Sequence, residues 1–362
     1  MSEPTEPSVH EPLTSLVIVT YNGREWLIPC LESVFALDYP PDRLEVLVVD
    51  NGSSDGSAEA VRERFPQVVW LTNEVNNYCR ANNLAVSRAK GAAIGFLNND
   101  VRLDRRWLRE LLSALFAEER TGAVGGKVLL RDGVLNSTGH VELPHGVWAD
   151  RGYQEPDIGQ FEVSGKVEGL SGSAVLYRRG CLEDVGPFDE DFHMYYEDVD
   201  LVHRCRQRGW GFVYVPSALA HHAFHGTASE GFVEQQIGRN RLLFLAKHAP
   251  ERLAAAVSLG DPSDPMRGRG ALAVLRDLPA VANKLIKHHG VDGLARWLPG
   301  IAGELEKLVQ RERHFLASEL SRVRKALDEL QQAIEQTRWN HAQAAARADD
   351  RHTTLQQHDR LW

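Results

Sequence analysis

The chain is predicted to be an α/β protein with a largely parallel sheet, extended at its C-terminus by helices. Short β-branched runs alternate with segments of helical period, which is how βαβ units read in sequence. Polar clusters close these runs at their carboxyl ends, where parallel sheets gather ligands. Beyond residue 303 the composition changes to a heptad pattern.

Residues 1–13 begin MSEPTEPSVHEP, acidic and proline-rich, and are expected to be disordered. That composition is the opposite of a signal peptide. LVIVT (16–20) has the length of a buried strand, and Arg24 to Ala36 place Trp26, Leu27, Cys30, Leu31, Val34 and Phe35 at helical spacing. The unit recurs as LEVLVVD (44–50) before the helical SAEAVRERF, and as VVWLT (68–72) before a helix near 80–90. AAIGFL (92–97) then ends in Asn98-Asn99-Asp100, ahead of a helix from about Arg105 to Ala117.

From about 120 to 180 the sequence turns Gly-rich and short-stranded. A helix is expected from near Glu197, a strand over GFVYVP (211–216), and a helix over 233–248, before Pro250. Residues 251–302, with Gly and Pro breaks around short amphipathic pieces, read as a helical linker. Leu316, Leu320, Val323, Leu327, Leu330 and Ile334 follow a 4-3-4-3-4 spacing with charged flanks. Residues 303–362 are therefore read as a coiled-coil helix that frays after Thr337. A homo-oligomer is favoured over a single amphipathic helix lying on its own domain.

A net charge of −9 argues against a nucleic-acid binder, which needs clustered Lys and Arg. The cysteines, Cys30, Cys79, Cys181 and Cys205, lie far apart without a CxxC pair and read as free thiols of a reducing compartment. No apolar run approaches the ~20 residues of a membrane helix. The expectation is a cytoplasmic protein, with room for peripheral contact at the inner face of the membrane.

TYNGREW after the first strand is not GxGxxG, which excludes a dinucleotide dehydrogenase. Thr20, Tyr21 and Asn22 can line a pocket beside Asp50, where a carboxylate accepts a pyrimidine imide N–H and a tyrosine stacks on the base. A turn-forming Asn-Gly and a helix-capping Asp fit the same residues equally well. Asn98-Asn99-Asp100 suits a hard divalent cation shared with phosphates, or else an N-cap, since Asp100 and Asp104 both precede a helix. Acids crowd among aromatics in GPFDEDFHMYYEDVDLVHRCRQRGW (186–210), which suits a general base tuned by partial burial. The alternative is a solvated acidic face. His221, His222 and His225 downstream are each a candidate metal ligand.

The stretches VIVTYNG, VLVVDNGSSDGS, FLNND, GSAVLYRRG, VGPFDEDFHMYYEDVDLVHR, YVPSALAHH and GRNRL resemble the family-2 glycosyltransferases, particularly their bacterial rhamnosyltransferase-like branch. They occur in the family's order over about residues 14–248. The resemblance implies a GT-A fold over residues 14–250, a doubly wound mixed sheet with a nucleotide-binding half and an acceptor half. It implies an inverting transfer from a nucleotide sugar, with dTDP-rhamnose or a UDP-sugar favoured. The acceptor would be a glycan or lipid-linked glycan in cell-surface polysaccharide synthesis.

Carried over by position, Thr20, Tyr21, Asn22 and Asp50 would hold the nucleoside. Asp100 would bind Mg²⁺ or Mn²⁺ with the diphosphate, and Asn99 would stand beside it on the nucleotide. Asp198 would be the catalytic base with Glu197 adjacent, and His222 would help bind metal or diphosphate. Asn99 replaces a residue that is often Pro or Asp in the family, which leaves one carboxylate for the metal. Asn77 replaces a glycine common before the third helix. Gln236 to Asn240 lacks the Trp of the QxxRW motif, which speaks against processive polymerisation. A catalytically silent scaffold organised by the coiled coil is the alternative. A nucleotidyltransferase would open with a Gly-rich, basic phosphate loop, which TYNGREW is not.

Overall fold

The structure is a computed structural model, and it describes residues 11–130, 133–143, 147–223, 230–257, 270–311, 324–340 and 342–343. The expectations for residues 1–10, His225, Leu316, Leu320, Val323 and most of the chain after 340 lie outside these residues. Two compact units are present, Met1–Glu230 and Gly231–Trp362.

In the first unit β1 (Thr14–Thr20) is buried along its whole length. The helix α1 (Arg24–Phe35) covers it with Leu27, Cys30, Leu31 and Val34. The units β2 (Leu44–Asp50), α2 (Ser57–Arg64), β3 (Val69–Thr72), α3 (Tyr78–Arg88) and β4 (Ala93–Asn98) follow as the alternation predicts. Asn77, in place of a glycine, caps α3 by accepting the Arg80 N–H at 3.0 Å. β2 pairs parallel on one side of β1 and β4 on the other, with Thr20 beside Asp50 and Val19 beside Asn98. The chain therefore reverses its direction of winding next to β1. A crevice opens at such a switch point, at the carboxyl ends of the strands.

The second half of the unit makes the sheet mixed. It adds β5 (Val101–Leu103), α4 (Trp107–Ala117), β6 (Thr121–Leu129), β7 (Leu135–Ser137), β8 (His140–Leu143), β9 (Val147–Asp150) and β10 (Gly165–Val167). Then come β11 (Ala174–Arg178), α5 (Arg179–Val185), α6 (Glu197–Gln207) and β12 (Gly211–His222). Among the described residues the sheet has ten strands, with main order β10-β12-β6-β11-β4-β1-β2-β3; β5 attaches to β12 and β7 to β6. β11 runs antiparallel to both β4 and β6, and so joins the two halves. β8 and β9 form a separate hairpin.

Two features differ from the sequence reading. The Gly-rich stretch contains a nine-residue strand, β6, every residue of which is buried. Its glycines are packing sites: a Cβ on Gly126 would lie 1.7 Å from the Ala218 carbonyl oxygen. The strand expected over 211–216 runs on to His222, because the Pro216-Ser217 break is absorbed as a register shift between Val215 and Leu219.

The second unit is helical: α7 (Glu230–His248), α8 (Leu253–Val257) and α9 (Gly270–Arg311), the last broken at Gly290, where φ is 70°. The helix expected over 233–248 therefore belongs to this unit. It buries Leu242, Leu243, Phe244, Leu245 and Ala246, and its Arg241 donates to the Ala256 carbonyl at 3.0 Å. The supposed linker is helical where described, and α9 runs past residue 302 without a break there. Residues 324–340 are helical, with Ile334 buried within the chain and Leu327 and Leu330 half-buried. No helix of the described residues is long and apolar enough to cross a membrane.

Candidate active site

Three groups of side chains stand at the carboxyl end of the sheet. The first surrounds Asp50 and Thr20, neighbours across the β1–β2 ladder and both buried. Asp50 Oδ1 accepts the Ser53 N–H at 2.9 Å, so this carboxylate also serves the turn. Asn22, with φ 48°, accepts the Ser54 N–H at 2.8 Å and donates its own N–H to Ser53 Oγ at 2.8 Å. It ties the two loops together. Tyr21 between them is exposed. Asn99 joins the group by donating to Thr20 Oγ1 at 3.1 Å. A Cβ on Gly23 would lie 2.2 Å from that Asn99 amide nitrogen, so the glycine makes room for the contact.

An asparagine network behind this corner, with Asn51 and Asn73 buried, escaped the sequence reading. Asn73 donates to Asn51 Oδ1 at 2.7 Å, and Asn51 to Asn76 Oδ1 at 3.2 Å. The available signal was the polar residue that directly follows β2 and β3.

The second group is Asp100 and His222. β5 turns back antiparallel along the end of β12, with His222 opposite Val101, which sets the histidine beside Asp100. His222 Nε2 lies 3.1 Å from Asp100 Oδ1, and both side chains are largely buried. The other ring nitrogen, Nδ1, is 2.6 Å from Asn136 Oδ1. Asn136 thus orients the ring from one side while Nε2 faces the Asp100 carboxylate on the other. Donor atoms that each sit ~2.1 Å from one octahedral cation are ~3 Å apart, so the pair fits a shared ion. Among the described residues no group of three or more His, Cys, Asp or Glu could hold a metal ion by itself.

His221 faces solvent on the same strand, so His222 is the member of that pair that meets Asp100. Asp104, not Asp100, supports the start of α4, accepting the Arg106 N–H at 3.0 Å. The N-cap alternative for Asp100 falls, since β5 intervenes.

The third group opens α6. His193, Tyr195 and Tyr196 have φ of 65°, 67° and 65°, a left-handed backbone that costs ~1 kcal/mol or more per residue and concentrates at functional sites. Asp198 follows, part-exposed, with Oδ2 accepting the Gly172 N–H at 3.0 Å and Oδ1 the Val199 N–H at 2.8 Å. Glu197 is buried, and its Oε2 has no hydrogen-bond partner. Burial, and then the charge of Asp198, push the Glu197 carboxyl up to about 8. Of the remaining acids of this stretch, Asp200 is buried and pairs with Arg204 at 2.9 Å, whereas Glu190, which accepts from Asn83 at 3.2 Å, and Asp191 are exposed.

His140, on β8, was not anticipated from sequence. It is buried, with Nε2 3.3 Å from Asp150 Oδ1 and 4.0 Å from Asp198 Oδ2. Burial alone would lower its pKa, but Asp150 foremost, then Asp198 and Glu197, raise it to about 8. Tyr78 of α3 links the groups. Its phenol is pushed upward by burial and by Glu197, and it donates to Asn98 Oδ1 at 3.5 Å. The Asn98 amide nitrogen lies 3.4 Å from His222 Nε2. Of the expected site residues, Thr20, Asn22, Asp50 and Asn99 form one group, Asp100 and His222 the next, and Asp198 and Glu197 the last.

Residues 15–186 match the family model for Glycosyl transferase family 2. The chain is 32% identical over 244 residues to the N-acetylglucosaminyl-diphospho-decaprenol L-rhamnosyltransferase of Mycobacterium tuberculosis, covering 59% of this chain and 78% of the relative. It is 28% identical over 218 residues to glycosyltransferase AglE of Haloferax volcanii, covering 58% of this chain and 67% of the relative. Among solved structures it resembles GalNAc-T7 with UDP, GalNAc and Mn²⁺, with a TM-score of 0.56 at 14% identity, over 79% of this chain and 58% of that one. It also resembles TarS 1–349 of S. aureus in complex with UDP-GlcNAc, with a TM-score of 0.51 at 18% identity, over 88% of this chain and 92% of that one. The mixed sheet is thus the GT-A fold. With a third of the aligned residues shared along most of the rhamnosyltransferase's length, the chain belongs to the family-2 glycosyltransferases, in their rhamnosyltransferase-like branch.

Proposed function

We propose that the chain is an inverting enzyme that transfers a sugar from a nucleoside diphosphate to a hydroxyl group of a glycan or lipid-linked glycan. The pairing of Asp100 with His222 at 3.1 Å carries this reading. Residues far apart in sequence converge on one donor pair at the mouth of the sheet, which is what a diphosphate-bound cation requires. Asp100 and His222 would hold Mn²⁺ or Mg²⁺, and the ion when bound supplies Lewis-acid charge to the departing diphosphate. Asp198 takes the proton of the acceptor hydroxyl, a contribution of ~10²–10⁴ in rate. Its two backbone hydrogen bonds fix the carboxylate's direction. Tyr21 and Asp50 receive the base, by stacking and by accepting an imide N–H.

The donor is proposed to be dTDP-rhamnose or a UDP-sugar, and the acceptor a lipid diphosphate-linked sugar used in cell-surface polysaccharide synthesis. The relative named as an L-rhamnosyltransferase of a diphospho-decaprenol sugar supports both. Four free, buried cysteines support a cytoplasmic site of action, with peripheral contact at the membrane that carries the acceptor. Self-association through residues 303–337 is retained as part of the proposal: Leu327 and Leu330 keep some exposed apolar surface, although Ile334 is covered within the chain. A silent scaffold would have no use for a paired Asp100–His222 and an oriented Asp198.

A thermal-shift screen of nucleotide sugars with Mn²⁺ tests the reading. A donor at 100 times its Kd adds about 2.7 kcal/mol of stability. A selective shift with dTDP- or UDP-sugars, followed by transfer or slow hydrolysis of the donor, is the expected result. No shift and no turnover with any nucleotide sugar would contradict it.

A further inference from the structure

The β8–β9 hairpin carries none of the residues assigned to the nucleotide, yet it brings a buried imidazole to within 4.0 Å of Asp198. His140 and Asp150 face each other across this ladder. The His140 backbone N–H donates to the Gly169 carbonyl at 2.8 Å. Gly169 has no side chain to keep the hairpin from α6, where a Cβ would lie 2.9 Å from Val202. Three residues on, the Gly172 N–H binds Asp198. One short segment therefore positions both the hairpin and the base.

The cluster is costly as a structural device. Among the described residues three buried side-chain polar atoms of the cluster lack hydrogen-bond partners, His140 Nδ1, Trp148 Nε1 and Glu197 Oε2, while Asp150 Oδ1 faces His140 Nε2 at 3.3 Å. Each such atom costs ~1–3 kcal/mol, and apolar residues in place of buried charges are often neutral or stabilising. A charged group retained under that penalty beside a general base points to chemistry.

We propose that His140 is a positioning residue for Asp198: clamped between Asp150 and Asp198, its imidazolium supplies the counter-charge that fixes the Oδ2 edge of the base. The titratable groups facing it are Asp150 on its own hairpin and Asp198 and Glu197 at the start of α6. This rests on the proposed role of Asp198, and it adds a residue that acts through the base without touching substrate.

The test follows the imidazole nitrogen signals of the full chain by NMR, assigning His140 by its loss in His140→Gln. Its titration midpoint should lie near 8 in the wild type, above the ordinary 6.5, and should fall in Asp198→Asn and in Asp150→Asn. In turnover, His140→Gln should lose roughly 10- to 100-fold in kcat, as when a partner that orients a functional side chain is removed. The KM for the nucleotide sugar should stay near wild type, which a general loss of structure would not allow. An unmoved His140 titration in Asp198→Asn, or full kcat in His140→Gln, would overturn the proposal. A wild-type chain that transfers no sugar, but whose His140 still responds to Asp198→Asn, contradicts the proposed function instead.

Discussion

At the scale of single residues, the site sorts into groups whose roles separate on mutation. In the proposed reaction Asp100 acts through an ion shared with the diphosphate, so Asp100→Ala should weaken nucleotide-sugar binding with Mn²⁺ present and change it little without metal. Isothermal titration under both conditions checks this, and equal loss in both would return Asp100 to a structural role. Glu197 is read by pH. Its folded pKa of about 8 lies above the ordinary 4.5, so the folded state holds a proton that the unfolded state releases. The stability it contributes is full below 4.5 and is lost as pH rises towards 8. His140, raised from 6.5 to about 8, adds a loss in the same direction over its own window. Glu197→Gln cannot ionise, so its thermal midpoint should exceed that of wild type by a margin that widens up to about pH 8. Parallel midpoint curves would show that Glu197 is not held protonated.

At the scale of elements, the βαβ repeats were legible because β-branched runs and helical spacing alternate cleanly from Thr14 to Ala117. β6 and the end of β12 were not. Gly125 and Gly126 suggested only short strands, although Gly126 is where β12 approaches too closely for any side chain. Pro216 read as an end, although a register shift absorbs it. Gly126→Ala should therefore cost ~1–3 kcal/mol by overpacking a backbone that cannot move aside. Since β12 ends in His222, metal-dependent donor binding should fall with it. An unchanged midpoint in denaturant would contradict the packing argument. Of the site, Asp100, Asp198 and His222 stood in recognisable motifs, whereas His140 and Asp150 lie on a hairpin of only four-residue strands. A lone histidine there has no spacing that marks it, and only the tertiary contact with α6 reveals it.

At the scale of the whole molecule, every residue assigned to chemistry lies in the unit ending at Glu230. The heptad seam predicts a dimer or trimer of the full chain by light scattering, reduced to monomer mass by Leu327→Glu with Leu330→Glu. A full chain that is already monomeric would show that the seam packs within its own subunit, as Ile334 does. Catalysis is expected to be intrinsic to each protomer in either state. The central claim is that Asp198 is the base of a nucleotide-sugar transferase, and its most direct test is sugar transfer by Asp198→Asn beside the wild type. The amide keeps the shape of the side chain but cannot accept the acceptor's proton. Donor binding should be unchanged and transfer should fall by ~10²–10⁴; full transfer by a folded Asp198→Asn protein would contradict the assignment of Asp198 as the base.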